Sequence, residues 1–449
     1  MYKKGEKMKL QSRKTSDFFN DEYINWASYD NLRKIASLVD GQKNAARKVL
    51  WYIQQKNQNQ EIKVSQLDSK SAEYTEYLHG SMEGVIVNLA QDYTGTNNIN
   101  LLYPEGNFGT RLVPEASASR YIYTYGTKEF FDVFNKEDTN ILEHQNFEGR
   151  QIEPKFLLPK LPLLLINGSE GISSGFAQKI LPRNPKEIEK YIRYYLNKPD
   201  AVIKPFKNKP WFKGFKGQVH QGEENNQWVI EGAFEVKDTT VTITELPIGY
   251  SLKSYKKVLD KLEDEKKIQS YKDYSQEDFH FVIKMDRKTM KTMDKNRLLD
   301  YLKLRKKITE NYTVMTENNT IEVFDSVSDI LWRYINVKKK YLQKRKDYMI
   351  QELTKNIREL VSKYVFIRSI VDETLVITKR PTEDIINDLE KMDKIIKVQD
   401  SFDYLLGMSI RSLTEERMKK LMQQIKDYKT ELDFIKQVTI EDLWLEDLK

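Results

Sequence analysis

The sequence contains no cysteine, little glycine and proline, and no long apolar run. Without cysteine there is no disulfide framework and no thiolate metal site, which fits a reducing compartment such as the cytoplasm. The apolar stretch at residues 163–166 is far too short to span a membrane. The basic N-terminus lacks the apolar core of a signal peptide. We therefore expect no membrane partner.

The composition is that of a folded chain, with 39% hydrophobic and 11% aromatic residues but only 18 glycines and 12 prolines. A length of 449 residues predicts about three domains. The net charge of +7 is the small difference between 74 basic and 67 acidic residues. It is a mild bias toward an anionic partner, for which clustering matters more than the total.

An arginine–tyrosine pair, Arg120 and Tyr121, follows a glycine-containing turn at residues 106–112. A tyrosine hydroxyl titrates near pH ~10, so it attacks a phosphodiester only where nearby cations stabilise the phenolate. Arg120 can supply part of that stabilisation. Taken alone, the pair is better explained by a tyrosine that packs in a β-strand. Its interpretation therefore depends on the rest of the chain.

The N-terminal part has helical spacing from residue 18 to 51, with Asn20 as an N-cap and a break at residues 40–41. After the break, Lys43 and Arg47 lie four apart on one helical face, as phosphate-contacting residues do. Taken alone, these two residues are better explained by a solvated basic face.

Further helical segments at 64–77 and 81–91, followed by strands near 99–103 and 120–125, predict a winged helix-turn-helix. Tyr121 would then lie on the wing, beside phosphates rather than bases. His79 precedes a glycine at a helix start, where it can donate to a phosphate oxygen. A lone histidine more often has a structural role.

Residues 161–175 predict a buried strand that runs into a glycine-rich bend. The spacing is neither a Walker A motif nor a dinucleotide fingerprint, so a nucleotide site is not expected there. Close backbone approach to another polymer fits this bend as well.

Residues 185–325 predict an α+β region with a basic–aromatic patch at 204–216 and strands at 227–236 and 240–246, joined by a turn at Asp238. The last part, 326–449, predicts two long helices with a heptad seam and a capping box at residues 412–415. A compact insert between the helices indicates a coiled coil with a dimerising tip.

Four blocks in order resemble the DNA breakage–reunion region of type IIA DNA topoisomerases, closest to the eukaryotic topoisomerase II pattern: residues 30–50, 89–102, 106–111 with 119–124, and 167–175. The resemblance implies that Tyr121 takes the 5′ phosphate of the broken strand and that Arg120 assists it. It implies that Arg33 and His79 stabilise the pentacovalent phosphate. The remaining implied DNA contacts are an apolar wedge and three backbone-contacting cations: Ile172, Lys43, Arg47 and Arg111.

The implied fold class is α+β and multidomain. Its expected parts are a basic tail (1–17), a winged-helix domain with the tyrosine (18–184), a tower domain (185–325), a coiled coil (326–368 and 411–449) and a dimerisation tip (369–410). Two departures from the family pattern are a segment about two residues shorter between Gly80 and Leu89, and Asn44 where a proline is usual.

An ATPase domain, the acidic toprim cluster and a beaded C-terminal domain are not found in the sequence. Because the chain starts with its own Met1, it resembles the medium subunit of the split topoisomerases of T-even-like phages. The resemblance implies a homodimer that acts on double-stranded DNA, in the host cytoplasm if viral. It implies an ATPase/toprim partner subunit that binds both the Mg²⁺ and the ATP, with no metal held by this chain.

Two other functions remain open from the residues alone. One is a self-contained tyrosine recombinase or type IB-like enzyme, which would form a 3′ rather than a 5′ link. The other is a non-catalytic architectural protein that bends DNA without a covalent adduct.

Overall fold

The computed structural model describes residues 13–409 and 414–449. Its contacts divide the chain into two compact units, one ending at Lys338 and the other beginning at Lys339. Most of the predicted basic tail, residues 1–12, lies outside the described residues. Within the described ranges, no helix combines the length and apolar character needed to cross a membrane.

The first unit mixes helices and strands, in agreement with the predicted α+β class. Its helical segments are Thr15–Phe18, Phe19–Tyr23 (a π-helical turn), Ile24–Lys34, Asn44–Lys56, Val64–Tyr74, Glu83–Ala90, Lys128–Val133, Lys136–Ile141 (3₁₀), Leu163–Asn167, Pro185–Asn197, Leu252–Asp264, Arg287–Thr292 and Lys295–Tyr301. Its strands are Ile62–Lys63, Tyr123–Thr124, His144–Phe147, Arg150–Pro154, Ser169–Ile172, Ala177–Ile180, Gln218–Gln221, Gln227–Glu231, Ala233–Lys237, Thr240–Glu245, Ser270–Asp273, Phe281–Lys284, Arg305–Thr309, Thr313–Met315 and Ile321–Val323.

The core of the N-terminal part forms around the helix Asn44–Lys56. Its apolar residues, among them Val49, Leu50 and Ile53, are fully buried. They share one hydrophobic cluster with residues of Val64–Tyr74 and Glu83–Ala90. This spacing of three and four puts the apolar side chains on one helical face, which explains why helices were predictable here.

The break before that helix is confirmed, and its cause is steric. Gly41 has a positive φ of 67°, and a Cβ there would lie 2.4 Å from the backbone nitrogen of Leu164. The predicted N-cap at Asn20 is wrong. Helical backbone runs through residues 15–34 with only a π-helical turn at Phe19–Tyr23, so Asn20 lies inside the helical run rather than at its start.

The strand predicted near residues 99–103 is also wrong in extent. Only isolated bridges occur there, such as the one between Leu102 and Gly126. Of the strand predicted at 120–125, only Tyr123–Thr124 is observed, and it pairs with Ile62–Lys63. Two-residue strands leave most of this region as loop.

The region after residue 185 contains two larger antiparallel sheets and the two-stranded antiparallel pair Thr313–Met315 with Ile321–Val323. A four-stranded sheet has the order Ser270–Asp273, Phe281–Lys284, Thr240–Glu245, Ala233–Lys237. Asp238 lies in the predicted turn with φ 56°. The predicted strand 227–236 is divided at Gly232, where a Cβ would lie 2.4 Å from the carbonyl oxygen of Glu245. The first half, Gln227–Glu231, is the middle strand of a separate three-stranded sheet.

A buried ion pair joins the start of this region to its end. The guanidinium of Arg183 donates to both carboxylate oxygens of Glu310, at 2.5 and 2.6 Å. The same carboxylate accepts from the Trp228 indole, the Leu181 amide and the Tyr312 hydroxyl. The pair is therefore bidentate and its carboxylate is extensively hydrogen-bonded, which a charge removed from water requires.

The second unit is helical. The helix Val327–Val371 extends into it, followed by Thr382–Lys391, Asp403–Leu406, Glu415–Gln437 and Ile440–Asp447. The two long helices pack through Leu353, Ile357, Leu432 and Ile435. Ser412, predicted to begin a capping box, lies outside the described residues, but Thr414 caps Glu415–Gln437 by accepting from the Arg417 amide.

Glu310→Gln should lower the urea midpoint and cost about 3–5 kcal/mol of unfolding free energy, because it leaves the Arg183 guanidinium buried without a counter-charge. Unfolding followed by tryptophan fluorescence measures this change. The matched control is Glu223→Gln, which removes an exposed ion pair with Lys307 and should leave the midpoint unchanged. Equal midpoints for the two variants would contradict the structural role assigned to Glu310.

Candidate active site

The loop that carries Tyr121 turns its side chain outward while anchoring its neighbour. The Tyr121 side chain is 67% exposed, whereas Ile122 is buried in the core around Asn44–Lys56. The Ile122 carbonyl accepts from the Val64 amide at 3.1 Å. An exposed hydroxyl is therefore held on a backbone fixed by one buried residue and one hydrogen bond.

Arg120 lies against the tyrosine that follows it. Its guanidinium carbon is 4.8 Å from the centroid of the Tyr121 ring. This cation–π contact is worth about 0.5–1 kcal/mol at an exposed site. It keeps a positive charge near the ring, where a phenolate would form.

A hydrogen bond that the sequence analysis missed ties this loop to a helix. The Ser119 hydroxyl donates to the carboxylate of Glu83 at 2.6 Å. Glu83 is the first residue of the helix Glu83–Ala90, where a carboxylate is favoured by the helix dipole. An acidic residue at a helix start was the only available signal, and it did not identify its partner 36 residues away.

Arg33 and His79 meet through a third side chain, Tyr29. The Tyr29 hydroxyl is hydrogen-bonded to Nε2 of His79, and their ring centroids are 5.5 Å apart. The guanidinium carbon of Arg33 lies 5.8 Å from the Tyr29 centroid. Tyr29 and Arg33 are four residues apart on the helix Ile24–Lys34, so both project from the same face.

The surroundings of His79 favour its neutral form. Desolvation lowers the pKa of His79, and the positive charges of Arg33 and Lys48 lower it further. Lys48 is itself buried, donating to Glu153 at 2.8 Å and to the Thr75 carbonyl at 2.6 Å. At pH 7 the His79 ring is therefore neutral, with one nitrogen that donates and one that accepts.

The structure brings the Tyr121 loop and the His79 segment to one end of the same helix. Glu83, which holds Ser119, lies four residues after His79 in the chain. The carboxylate of Asp68 accepts from the Ser81 hydroxyl and the Met82 amide. These two hydrogen bonds fix the short segment between His79 and Glu83. The Arg120–Tyr121 loop and the His79 segment thus meet near the N-terminus of Glu83–Ala90, and Arg33 is linked to His79 through Tyr29.

Ile172 projects from the tip of a hairpin, with 77% of its side chain exposed. The hairpin pairs Ser169–Ile172 with Ala177–Ile180. Its base is held by Lys43, whose Nζ donates to the Glu170 carbonyl at 2.7 Å. Burial lowers the pKa of Lys43. Its ammonium contacts the hairpin and is not presented on an open helical face.

Asp30 fastens the tip of the hairpin to the helix that carries Arg33. Its carboxylate accepts from the Ser173 hydroxyl at 2.9 Å and from the amide and hydroxyl of Ser174 at 3.1 Å. A hydrogen bond from Lys34, assisted by the two serines, lowers the pKa of Asp30 to about 2. The contact therefore persists across the physiological pH range.

Two of the predicted backbone-contacting cations are not presented to solvent. Arg47 is buried and donates to both carboxylate oxygens of Asp40. Arg111 donates to the Leu246 and Tyr250 carbonyls. Each guanidinium is thus used inside the protein, which burial requires because an unpaired charge there is costly. Their geometry in this structure is that of internal braces.

The described residues 13–409 and 414–449 contain no group of three or more His, Asp or Glu side chains able to hold a metal ion. The residues around Tyr121 thus do not fit a Mg²⁺ site of their own. What they offer is an exposed hydroxyl, two arginines on aromatic faces, and a neutral imidazole. This set can bind and polarise a phosphodiester.

Known proteins share sequence with this chain over nearly its whole length. DNA topoisomerase 2 of Plasmodium falciparum is 33% identical over 476 aligned positions, covering 96% of this chain and 34% of the relative. DNA topoisomerase 2 of Penicillium chrysogenum is 34% identical, covering 97% of this chain and 30% of the relative. The chain thus spans about a third of the length of these curated relatives.

Among solved structures, the chain is similar to the crystal structure of the Plasmodium falciparum topoisomerase II DNA-binding, cleavage and re-ligation domain, with a TM-score of 0.84 and 34% identity. That match covers 96% of this chain and 63% of the other. The predicted resemblance to a type IIA breakage–reunion region is confirmed. The model of the A-subunit family of DNA gyrase/topoisomerase IV matches residues 33–449, and the chain therefore belongs to that family.

Proposed function

We propose that this chain is the DNA breakage–reunion part of an ATP-dependent type IIA topoisomerase. Tyr121 cleaves one strand of a duplex, and a second copy cleaves the other, so that another duplex passes through the break. The observation that carries the proposal is the exposed Tyr121 side chain beside Arg120, on a loop that Ser119 ties to the helix directly following the His79 segment.

The reaction is a transesterification that conserves phosphodiester energy. The Tyr121 oxygen forms a bond to phosphorus as the P–O3′ bond breaks, leaving a 5′-phosphotyrosine. The tyrosine loses its proton and the departing 3′ oxygen gains one. Resealing is the reverse attack and needs no energy source. Arg120 stabilises the phenolate, and Arg33 and His79 stabilise the non-bridging oxygens of the pentacovalent phosphate.

The two alternative functions fit the chain less well. A type IB-like enzyme or tyrosine recombinase belongs to other families than the one matched over residues 33–449. An architectural protein has no need of an exposed tyrosine with an arginine on its ring. Both alternatives predict the absence of a 5′-phosphotyrosine.

The domain boundaries of the sequence analysis form part of the proposal. Residues 18–184 act as a winged-helix domain, residues 185–325 as a tower, and residues 326–368 with 411–449 as a coiled coil. Residues 369–410 form the dimerisation tip. Supporting observations are the antiparallel sheets of the proposed tower and the paired long helices. In the proposed tip, Leu389 and Leu405 belong to a core that also includes Phe366 and Leu421 of the long helices.

The proposed partners are double-stranded DNA, a second copy of this chain, and an ATPase/toprim subunit of the kind found in split phage enzymes. That subunit would bind Mg²⁺ and ATP. When bound, Mg²⁺ neutralises charge on the reacting phosphate.

Tyr121→Phe should bind duplex DNA with unchanged affinity but form no covalent adduct, because phosphate contacts carry affinity while the hydroxyl is the nucleophile. Cleavage complexes are trapped with denaturant in the presence of partner and Mg²⁺. Tyr123→Phe, which removes a hydroxyl two residues away, is the matched control and should form the adduct normally. An adduct in the Tyr121 variant would assign the chemistry to another residue.

Ile172→Ala should reduce DNA bending more than DNA binding, because an inserted apolar side chain offsets part of the unstacking cost, a few kcal/mol per step. Energy transfer between dyes on the two duplex ends reports the bend angle. Val202→Ala removes an equally exposed apolar side chain elsewhere and should leave the angle unchanged. An unchanged angle for both variants rules out the wedge role.

The isolated chain should dimerise and bind duplex DNA, yet neither hydrolyse ATP nor relax supercoiled plasmid. Arg33, Arg120 and a neutral His79 provide too little positive charge for efficient cleavage, and only an ATPase/toprim subunit with Mg²⁺ should restore it. Plasmid relaxation is measured with and without that subunit. Strong relaxation by the chain alone would favour the type IB-like alternative.

A further inference from the structure

Tyr29 lies between the two groups proposed to stabilise the phosphate, although neither a motif nor the family resemblance marks it. Its side chain is 47% exposed, so burial does not explain its position. One side chain makes two different contacts: a hydrogen bond between its hydroxyl and Nε2 of His79, and a ring face toward the Arg33 guanidinium. It therefore touches both groups at once.

The direction of the hydrogen bond follows from the chemistry of its two partners. A phenol is a stronger acid than a neutral imidazole N–H, and an imidazole nitrogen is a stronger base than a phenol oxygen. The hydroxyl of Tyr29 therefore donates and Nε2 of His79 accepts. A neutral imidazole has a single proton, so Nδ1 carries it.

The charged groups around the ring favour this neutral form. Arg33 and Lys48 are positive and face His79, and the carboxylate of Glu153 is already engaged by Lys48. The other aromatic neighbour is Tyr77, whose ring centroid lies 5.7 Å from that of His79 in an edge contact. Of the two tyrosines, Tyr29 is the one hydrogen-bonded to the imidazole.

We infer that Tyr29 is a positioning residue, which fixes the tautomer and orientation of His79 so that Nδ1–H is the donor to the reacting phosphate, and which holds Arg33 beside it. The inference rests on the proposed function for the identity of the phosphate. The geometry of the Tyr29–His79 contact can be tested without DNA.

The first test is nuclear magnetic resonance of the full-length protein with labelled histidine. The chain has only four histidines, so a His79→Gln variant assigns the His79 signals. In the wild type, Nδ1 should be protonated at neutral pH. In Tyr29→Phe the ring should lose this preference, and its pKa should rise because the bond that stabilised the neutral form is gone. Tyr77→Phe is the matched control and should change neither property.

The second test is single-turnover cleavage in the presence of Mg²⁺ and the ATPase/toprim partner. Tyr29→Phe should slow cleavage about tenfold, the effect of one lost hydrogen bond, with DNA affinity unchanged. Because the variant protonates His79 at higher pH, the acid side of its pH–rate profile should move to higher pH. Tyr29→Leu, which also removes the ring beneath Arg33, should be slower still, and Tyr77→Phe should match the wild type.

The outcomes separate this inference from the proposed function. An unchanged His79 tautomer and pKa in Tyr29→Phe would overturn the inference whatever the activity. Altered resonance with wild-type cleavage and an unshifted pH profile would overturn the positioning role but not the proposed function. A wild-type protein that never forms an adduct would refute the proposed function, while the resonance experiment would still decide whether Tyr29 sets the His79 tautomer.

Discussion

The buried carboxylate of Asp40 is the interaction on which the arrangement of the site depends. It accepts from Arg47 at 2.6 and 3.1 Å, from the Gln42 amide at 2.9 Å, and from the Leu157 amide at 2.9 Å. These bonds fix the turn between the helices Ile24–Lys34 and Asn44–Lys56. They also join that turn to a segment more than one hundred residues later. Removing either Asp40 or Arg47 would leave the other charge buried and uncompensated, so the loss of one would disrupt the remaining contacts.

The same turn sets the direction of both elements that carry site residues. The Leu38 amide donates to the Met315 carbonyl at 2.8 Å, and the Ala36 amide donates to the Gln178 side chain at 3.0 Å. Gln178 lies on the hairpin that presents Ile172. The helix with Arg33 and the hairpin with Ile172 are therefore both anchored at this turn. The exposed groups need no packing of their own to stay in position.

Sequence reasoning predicted several features that local pattern controls, although not the helix start near Asn20 or the strand near 99–103, and it missed the contacts that burial decides. The helix around Val49 and Ile53, the break at Gly41 and the turn at Asp238 follow from periodicity and backbone geometry. By contrast, Lys43 and Arg47 lie four residues apart and carry the same charge, yet Lys43 precedes the helix as its N-cap residue and Arg47 is buried against Asp40. A single sequence does not show which cation meets a distant carboxylate.

The site contacts were unpredictable for the same reason. Tyr29 and His79 are 50 residues apart, and Ser119 and Glu83 are 36 apart. No spacing rule links such pairs, because their meeting depends on how the helices pack. Arg33 and Arg120 illustrate the outcome: each lies on an aromatic face rather than deep in an ion pair. Such cations are open to an incoming phosphate, whereas the guanidinium of Arg47 is enclosed against Asp40.

In the proposed mechanism, one helix couples DNA bending to phosphate stabilisation. Asp30 binds the hairpin tip beyond Ile172, and Tyr29 and Arg33 on the same helix meet His79. A force on the wedge is therefore transmitted to a helix that also places the phosphate donors. The two links differ in their response to pH. Because the pKa of Asp30 is about 2, its carboxylate stays ionised near neutral pH and keeps its hydrogen bonds to the hairpin. Protonation of His79, by contrast, removes the nitrogen that accepts the hydrogen bond from the Tyr29 hydroxyl. A fall in pH should therefore slow DNA cleavage before it releases the hairpin that carries Ile172 from Asp30.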